Sequence, residues 1–263
     1  MFKNFRTQIQ VFWSLLRLDL MFITNGLLDK FINTSISCSM AMFVAKYVFV
    51  KLGIKSNFAA IQASSQIVSI IGWSVYSHIT VFVMDWTSYR HINYLSTLPI
   101  SAELLLIEYT IRNAVTLFIY GLLSVFIIFL LSYDVIMWFN INFFLLILIL
   151  MIISLFYAFF GLLLASFLRD LSKFNNLIVR IMLPLWILGG NQFSFKTAYD
   201  ISPYFAYLTS LSPYTYANEA MRYCLISNTQ YMPIWISLGT LVFMTFVVAI
   251  FAIYRVKNRL NLI

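Results

Sequence analysis

The chain has 263 residues, of which 62% are hydrophobic and 10% charged, and its formal net charge is +8. Soluble domains carry about a quarter charged residues, and a soluble fold of this length could not hide so much apolar surface. The composition excludes a soluble enzyme, a disordered chain and a disulfide scaffold, and it leaves an all-α membrane protein that crosses the bilayer several times.

Residues 1–25 read as an amphipathic helix lying in the membrane interface. Lys3, Thr7, Gln10, Ser14 and Arg17 repeat on one face, and Phe5, Ile9, Phe12, Leu16 and Leu20 occupy the other. The alternative is the first helix of a helical core. Arg17 and Asp19 interrupt the apolar run and no small-x-small site follows, so the segment does not read as a cleaved signal. Residues 31–50 form a first span with Lys46 near its far end, from where it can snorkel outward. Ser37, Ala41 and Ala45 lie four apart in it, a spacing that lets a second helix approach closely and suits dimer packing. Residues 58–84 hold no Asp, Glu, Lys or Arg and form a second span.

A polar loop follows at 85–102, carrying Asp85, Tyr89, Arg90, His91, Tyr94 and Pro99. The third span runs over 104–131, with Glu108 and Arg112 at i, i+4, where they can pair on one helix face. Residues 135–168 are uncharged, about 51 Å if wholly helical; 138–142 are assigned to the interface and the rest to the fourth span. A charged turn, Arg169-Asp170-Leu-Ser-Lys173, leads to a fifth span at 174–190 that contains Pro184 and Gly189-Gly190. Residues 191–230 are apolar but broken by Pro203 and Pro213, and they contain Glu219 and Arg222. A re-entrant pair of short helices fits this better than a span, provided protein shields its backbone. A sixth span at 231–254 is followed by Arg255, Lys257 and Arg259.

Six spans place both termini on one side, and most Lys and Arg outside the spans fall on that side. The positive-inside rule then puts both termini in the cytoplasm and the chain in the cytoplasmic membrane. The basic residues stand singly, without aromatic interleaving, so they do not indicate nucleic acid. Cys38 and Cys224 lie in hydrophobic sequence and read as small buried hydrophobes. His78 and His91 stand on different segments, without a metal-ligand spacing. No phosphate-binding G-x-x-x-x-G-K-[ST], H-E-x-x-H or G-x-S-x-G is present. No ionisable residue falls near the middle of an assigned span, as an ion-coupled carrier usually requires.

In order and placement these features resemble the type-2 ABC transporter permease, the six-span subunit that pairs with a separate ATPase. The resemblance covers nearly the whole chain. The interfacial helix before span one is similar to that family's, and the loop ending Leu-Ser-Thr-Leu-Pro-Ile-Ser (95–101) resembles its coupling helix. Arg169-Asp170 is similar to an arginine-aspartate pair of glycan-exporting members. Gly189-Gly190 stands where the family often has a glycine closing span five. Leu211-Ser-Pro213-Tyr-Thr-Tyr216-Ala-Asn-Glu219-Ala-Met-Arg222 looks like its segment before span six.

The resemblance implies a single permease domain over 1–263, working as a pair of copies on a nucleotide-binding ATPase subunit. That partner would hold ATP and Mg2+, and this chain would hold no cofactor and catalyse nothing itself. The cargo implied is amphipathic: a lipid-linked glycan, a lipid or a drug-like molecule. Asp85, Tyr89, Arg90, His91, Tyr94 and Pro99 would meet the ATPase, although a solvated loop helix would show the same residues. Arg169 and Asp170 would pin the turn near it, or simply be solvated. Pro213, Glu219 and Arg222 would lock the outer hairpin; the bland alternative is an exposed ion pair worth under about 1 kcal/mol. Tyr204, Tyr207, Tyr214 and Tyr216 form the one aromatic cluster with a claim on the substrate path, with interface anchoring as the rival. The rival function is an ATP-independent carrier or channel. A membrane-embedded enzyme would need clustered acids or histidines, and the nine acidic residues are widely separated.

Overall fold

The computed structural model describes all residues except 1–4, 24–25, 55–56, 88–94, 96, 137–140, 169, 227–231 and 261–263. The described residues form helices joined by short turns, with no strand among them. Helix α1 is Phe5–Ile23. Helix α2, Leu27–Phe43, continues without a break through a π-helical turn, Val44–Val48, to Phe49–Lys51. Helices α3 (Asn57–Thr87), α4 (Ala102–Leu131) and α5 (Phe143–Phe167) follow. Helix α6, Leu171–Leu188, contains a second π-helical turn at Ile178–Met182. Three short helices come next: α7 (Phe195–Ile201), α8 (Pro203–Ser210) and α9 (Pro213–Ile226). The long α10, Ile234–Leu260, comes last.

Local chemistry sets several of these boundaries. Ser101 caps α4, its hydroxyl accepting from the Leu104 N–H at 3.3 Å, and Asn142 caps α5 through the Leu145 N–H at 3.1 Å. Pro184 lacks the N–H an α-helix interior requires, and the π-helical turn of α6 lies immediately before it. Pro203 and Pro213 open α8 and α9, where a missing N–H costs nothing.

Helices α3, α4, α5, α6 and α10 are long and apolar enough to cross a membrane. The rod at 27–51 is about 38 Å long at 1.5 Å per residue. It is not among the five, because Asn33, Thr34, Ser35, Ser37 and Ser39 dilute its apolar character. Helix α5 is the hub of the bundle and packs against α10, α4 and α3. Its buried Leu146, Ile149, Ile153 and Phe156 belong to one continuous core with Ile67, Ile71 and Val75 of α3.

The two ends of the bundle are built differently. At one end Lys46 donates to the Leu131 carbonyl at 2.9 Å and pairs with Asp134, joining α2 to the turn after α4. The 189–226 segment sits at this same end, where Cys224 lies beside the Asn142 carbonyl. At the opposite end Glu103 of α4 pairs with Lys257 of α10 at 2.5 Å, and α1 packs against α4. Helix α1 buries Leu16 there and leaves Trp13, Leu18 and Met21 exposed, an apolar surface suited to a lipid interface. The expected pair of short helices after span five is instead three, because Ser202 and the turn at 211–212 each interrupt the helix.

Candidate functional site: a polar groove between two charged clusters

Helices α2, α3, α4 and α6 enclose a groove of about 460 Å³. Its polar wall consists of Asn33, Thr34, Ser37, Gln66, Ser69 and Ser74. Trp73, Tyr120 and Trp186 form the aromatic wall. Gln66 Nε2 donates to Ser37 Oγ at 3.0 Å, which ties α3 to α2. Trp186 Nε1 donates to Ser69 Oγ at 3.0 Å, and Ser69 Oγ donates onward to Asn191 Oδ1 at 2.9 Å. The indole is thereby fixed in orientation, and the groove is linked to the segment beyond α6.

That segment folds around a buried ion pair. Glu219 and Arg222 lie one turn apart on α9, 3.0 Å from Oε1 to Nη1, with both residues fully buried. The Glu219 carboxylate also accepts the Phe195 N–H at 2.9 Å and the Met232 N–H at 3.0 Å. Arg222 donates to the Phe193 carbonyl at 2.8 Å, to Ser65 Oγ at 2.6 Å and to the Gly190 carbonyl. Taking two charges out of water is costly, and these extra bonds are what make a buried pair tolerable. The pair therefore ties α9 to α3, to the turn after α6 and to the start of α10.

Gly189-Gly190 is explained by the same cluster. Gly190 has a φ of +70°, a left-handed conformation that glycine adopts without strain. A β-carbon on Gly189 would collide with the Cβ of Tyr214. The freed carbonyls point to α9: Asn218 Nδ2 donates to Gly189 at 2.8 Å and Arg222 to Gly190. Ser212 adds a bond to the Leu185 carbonyl at 2.6 Å, pinning the start of α9 to the end of α6. On α3, Ser65, Ser69 and Gly72 stand at i, i+4 and i+7, one stripe meeting Arg222, Asn191 and Tyr214.

The second charged cluster lies at the α1 end. Arg112 of α4 pairs with Asp19 of α1 at 2.8 Å, both side chains about a quarter exposed. Its guanidinium covers the Tyr109 ring at 4.3 Å, and the Tyr109 hydroxyl donates to the His78 carbonyl at 3.3 Å. The expected pairing within α4 is therefore replaced by one between helices, since a partner on α1 lies closer in space than i, i+4 spacing reveals. Glu108 is buried beside them, and its Oε1 has no hydrogen-bond partner among the described residues. Asp85, at the end of α3, lines the same small cavity as Asp19, Glu108 and Arg112.

The residues singled out in the sequence fare unequally. Glu219 and Arg222 come together on α9, which Pro213 opens, and all three are buried and not exposed as an ordinary surface pair would be. Asp85 is partly buried and Pro99 exposed, while Tyr89, Arg90, His91, Tyr94 and Arg169 lie outside the described residues. Asp170 accepts from the Ser172 N–H at 2.9 Å and from the Ser172 hydroxyl, and these bonds hold its carboxyl below the usual aspartate range. It thus caps the turn that opens α6.

The four tyrosines do not form a cluster. Tyr204 and Tyr207 are exposed on α8, while Tyr214 is buried against Tyr157 with ring centroids 4.9 Å apart, and Tyr216 packs on the core. They are distributed over two helices that face different surroundings. The small-residue stripe on α2 also divides. Ser37 is exposed and Ala41 partly buried, but Ala45 is buried inside the chain and offers no surface to a second copy. The groove and the Asp19–Arg112 bridge were not anticipated. Their traces in the sequence are the hydroxyl and amide residues of α2 and α3 and the opposite charges inside two apolar segments.

A helical bundle with several helices of membrane length and apolarity defines the class, a multi-pass membrane protein. The family model described as ABC-2 type transporter matches residues 11–226, and the chain belongs to that family, as an ABC transporter permease. No curated protein and no solved structure matches the chain.

Proposed function

We propose that the chain is the permease subunit of an ATP-driven exporter, moving an amphipathic substrate across the cytoplasmic membrane. The observation that carries this reading is the groove. Asn33, Ser37 and Gln66 sit on helices that a membrane would surround. Polar side chains at that depth face a path or another protein, because hydrocarbon leaves them unsatisfied. In this reading 27–51 is a sixth span, its polar face turned to the path, and α7–α9 form a re-entrant cap at the outer end. Both termini and α1 then lie on the cytoplasmic side. Two copies complete the path, and each binds a nucleotide-binding subunit that holds ATP and Mg2+.

The 85–102 segment, which runs from the last turn of α3 to the start of α4 and carries Asp85, Tyr89, Arg90, His91, Tyr94 and Pro99, is the contact with that subunit, and Arg169-Asp170 forms the neighbouring turn. Closure of the ATPase pushes on the loop, and the end of α3 carries the movement to the Asp19–Arg112 bridge. Pro213, Glu219 and Arg222 lock the outer cap. The proposal is tested by expressing the tagged chain with its genomic neighbours. A nucleotide-binding subunit should be recovered with it, and its absence defeats the reading.

A further inference from the structure

Within the proposed path, the chemistry of the groove selects among cargoes. Among the described residues, no Asp, Glu, Lys or Arg lines it. Its polar groups are amides and hydroxyls, and beside Ile70 and Tyr120 its lining holds two indoles, Trp73 and Trp186, 5.8 Å apart at 67°. Ser69 is already satisfied by Trp186 and Asn191, but a purely aliphatic occupant would dehydrate the Asn33 amide and offer nothing to the bonding capacity that Gln66 and Ser37 keep beyond their mutual bond, which is costly. An anion would want Arg or Lys donors in the lining, whereas the nearby Lys30 ammonium stands outside it, over Tyr120, and donates to the Ile23 carbonyl at 3.5 Å. A cation would want a carboxylate or an open aromatic face, and the Tyr120 face already has the Lys30 ammonium 5.7 Å from its centre. That charge repels a second cation. An uncharged ring with many hydroxyls and a flat C–H face satisfies both walls.

Resting on the permease reading, we infer that the groove binds the sugar part of an amphipathic cargo. The ring packs on Trp186 and Trp73, and its hydroxyls meet Asn33, Ser37 and Gln66. Part of this wall is set in advance: Gln66 already bonds Ser37, and Ser69 holds the Trp186 indole, each at 3.0 Å. Preset groups lose little freedom when a ligand arrives. The sugar is the recognised element and the lipid tail supplies the route of entry from the bilayer.

The test uses the full-length chain in lipid nanodiscs and reads tryptophan emission. Octyl maltoside, octyl sulfate, octyltrimethylammonium and free maltose are titrated separately, below micelle-forming concentrations. Octyl maltoside should give a saturable change, at least about tenfold tighter than either charged-head amphiphile or maltose, the equivalent of one or two net hydrogen bonds. The Asn33→Leu/Gln66→Leu variant should weaken it by a similar factor while unfolding at the wild-type temperature. If that variant unfolds early, Ser37→Ala is read instead, with an expected loss of about threefold. Equal binding of all amphiphiles, tighter binding of the ammonium, maltose binding as tightly as its octyl derivative, or no saturable change each overturns the inference. Recovery of an ATPase subunit decides the permease reading separately. An ATPase without maltoside binding defeats only the sugar, and maltoside binding without an ATPase defeats only the exporter.

Discussion

Glu219–Arg222 and Asp19–Arg112 are both ion pairs inside a largely apolar chain, yet they are built differently. The first lies within one helix, fully buried, and backbone groups from 190–195 and 232 close around it. The second joins two helices through one hydrogen bond and keeps about a quarter of each side chain in contact with the surroundings. A pair with many fixed partners cannot slide without exposing them, whereas a single bridge can break and reform. In the proposed transporter the first holds the outer cap still, and the second sits where movement enters from the ATPase.

The sharpest way to break this contrast is to remove one partner of the buried pair. Glu219→Ala leaves Arg222 charged and buried, and it should cost about 3–5 kcal/mol of stability, read by thermal unfolding in detergent. The Glu219→Leu/Arg222→Met double variant should recover only part of that loss: no uncompensated charge remains, but the Phe195 and Met232 N–H groups and the Phe193 and Gly190 carbonyls lose their partners. A wild-type melting temperature for Glu219→Ala would show that the cap is not held by this pair.

The next effect concerns the link between groove and cap. Ser69→Ala removes the shared partner of Trp186 and Asn191 and should cost about 1–2 kcal/mol. It should also raise proteolytic cleavage within 189–212, because the cap loses its tie to α3. Unchanged cleavage would separate groove from cap.

A smaller stability change is expected from Asp19→Asn, under about 1 kcal/mol for a partly exposed pair. Its main consequence lies in coupling: ATP hydrolysis by the assembled complex should persist while transport falls. Equal loss of both would make the bridge a structural tie only.

The smallest effect lies at the Lys46–Asp134 pair. The hydrogen bond from Lys46 holds the Asp134 carboxyl below its ordinary range. A lowered folded value means stability that is fully present above the unfolded aspartate value, about 3.9. That stability is lost as pH falls through the lowered folded value. Asp134→Asn should therefore narrow its stability difference from wild type only in strongly acidic buffer, a shift measurable by melting at stepped pH. A difference that grows on acidification would contradict the assignment.

Much of the architecture was legible because hydrophobic runs of membrane length are hard to read as anything else. Pro213 opens α9 as its residue type suggests, whereas the caps at Ser101 and Asn142 became visible only with the structure. The interior was legible only where partners are neighbours in sequence. Glu219 and Arg222 could be paired because they share a helix turn, while Arg112 was matched to Glu108 because Asp19 is 93 residues away. The tyrosines were grouped by sequence proximity, which the break between α8 and α9 undoes. The groove left only a diffuse signal. Hydroxyl and amide residues on α2 and α3 lower hydropathy slightly, and nothing in their order shows that Ser37 meets Gln66 or that Ser69 meets Trp186.

The central claim, that this permease is driven by a separate ATPase, is tested most directly in proteoliposomes. ATP hydrolysis by the co-purified subunit is measured alone, with the wild-type chain, and with Arg90→Glu in the proposed contact loop. The account predicts that the wild-type chain raises the hydrolysis rate and that Arg90→Glu removes the increase without unfolding the chain. Hydrolysis indifferent to the chain, together with flux sustained by an ion gradient alone, would contradict it and identify a carrier.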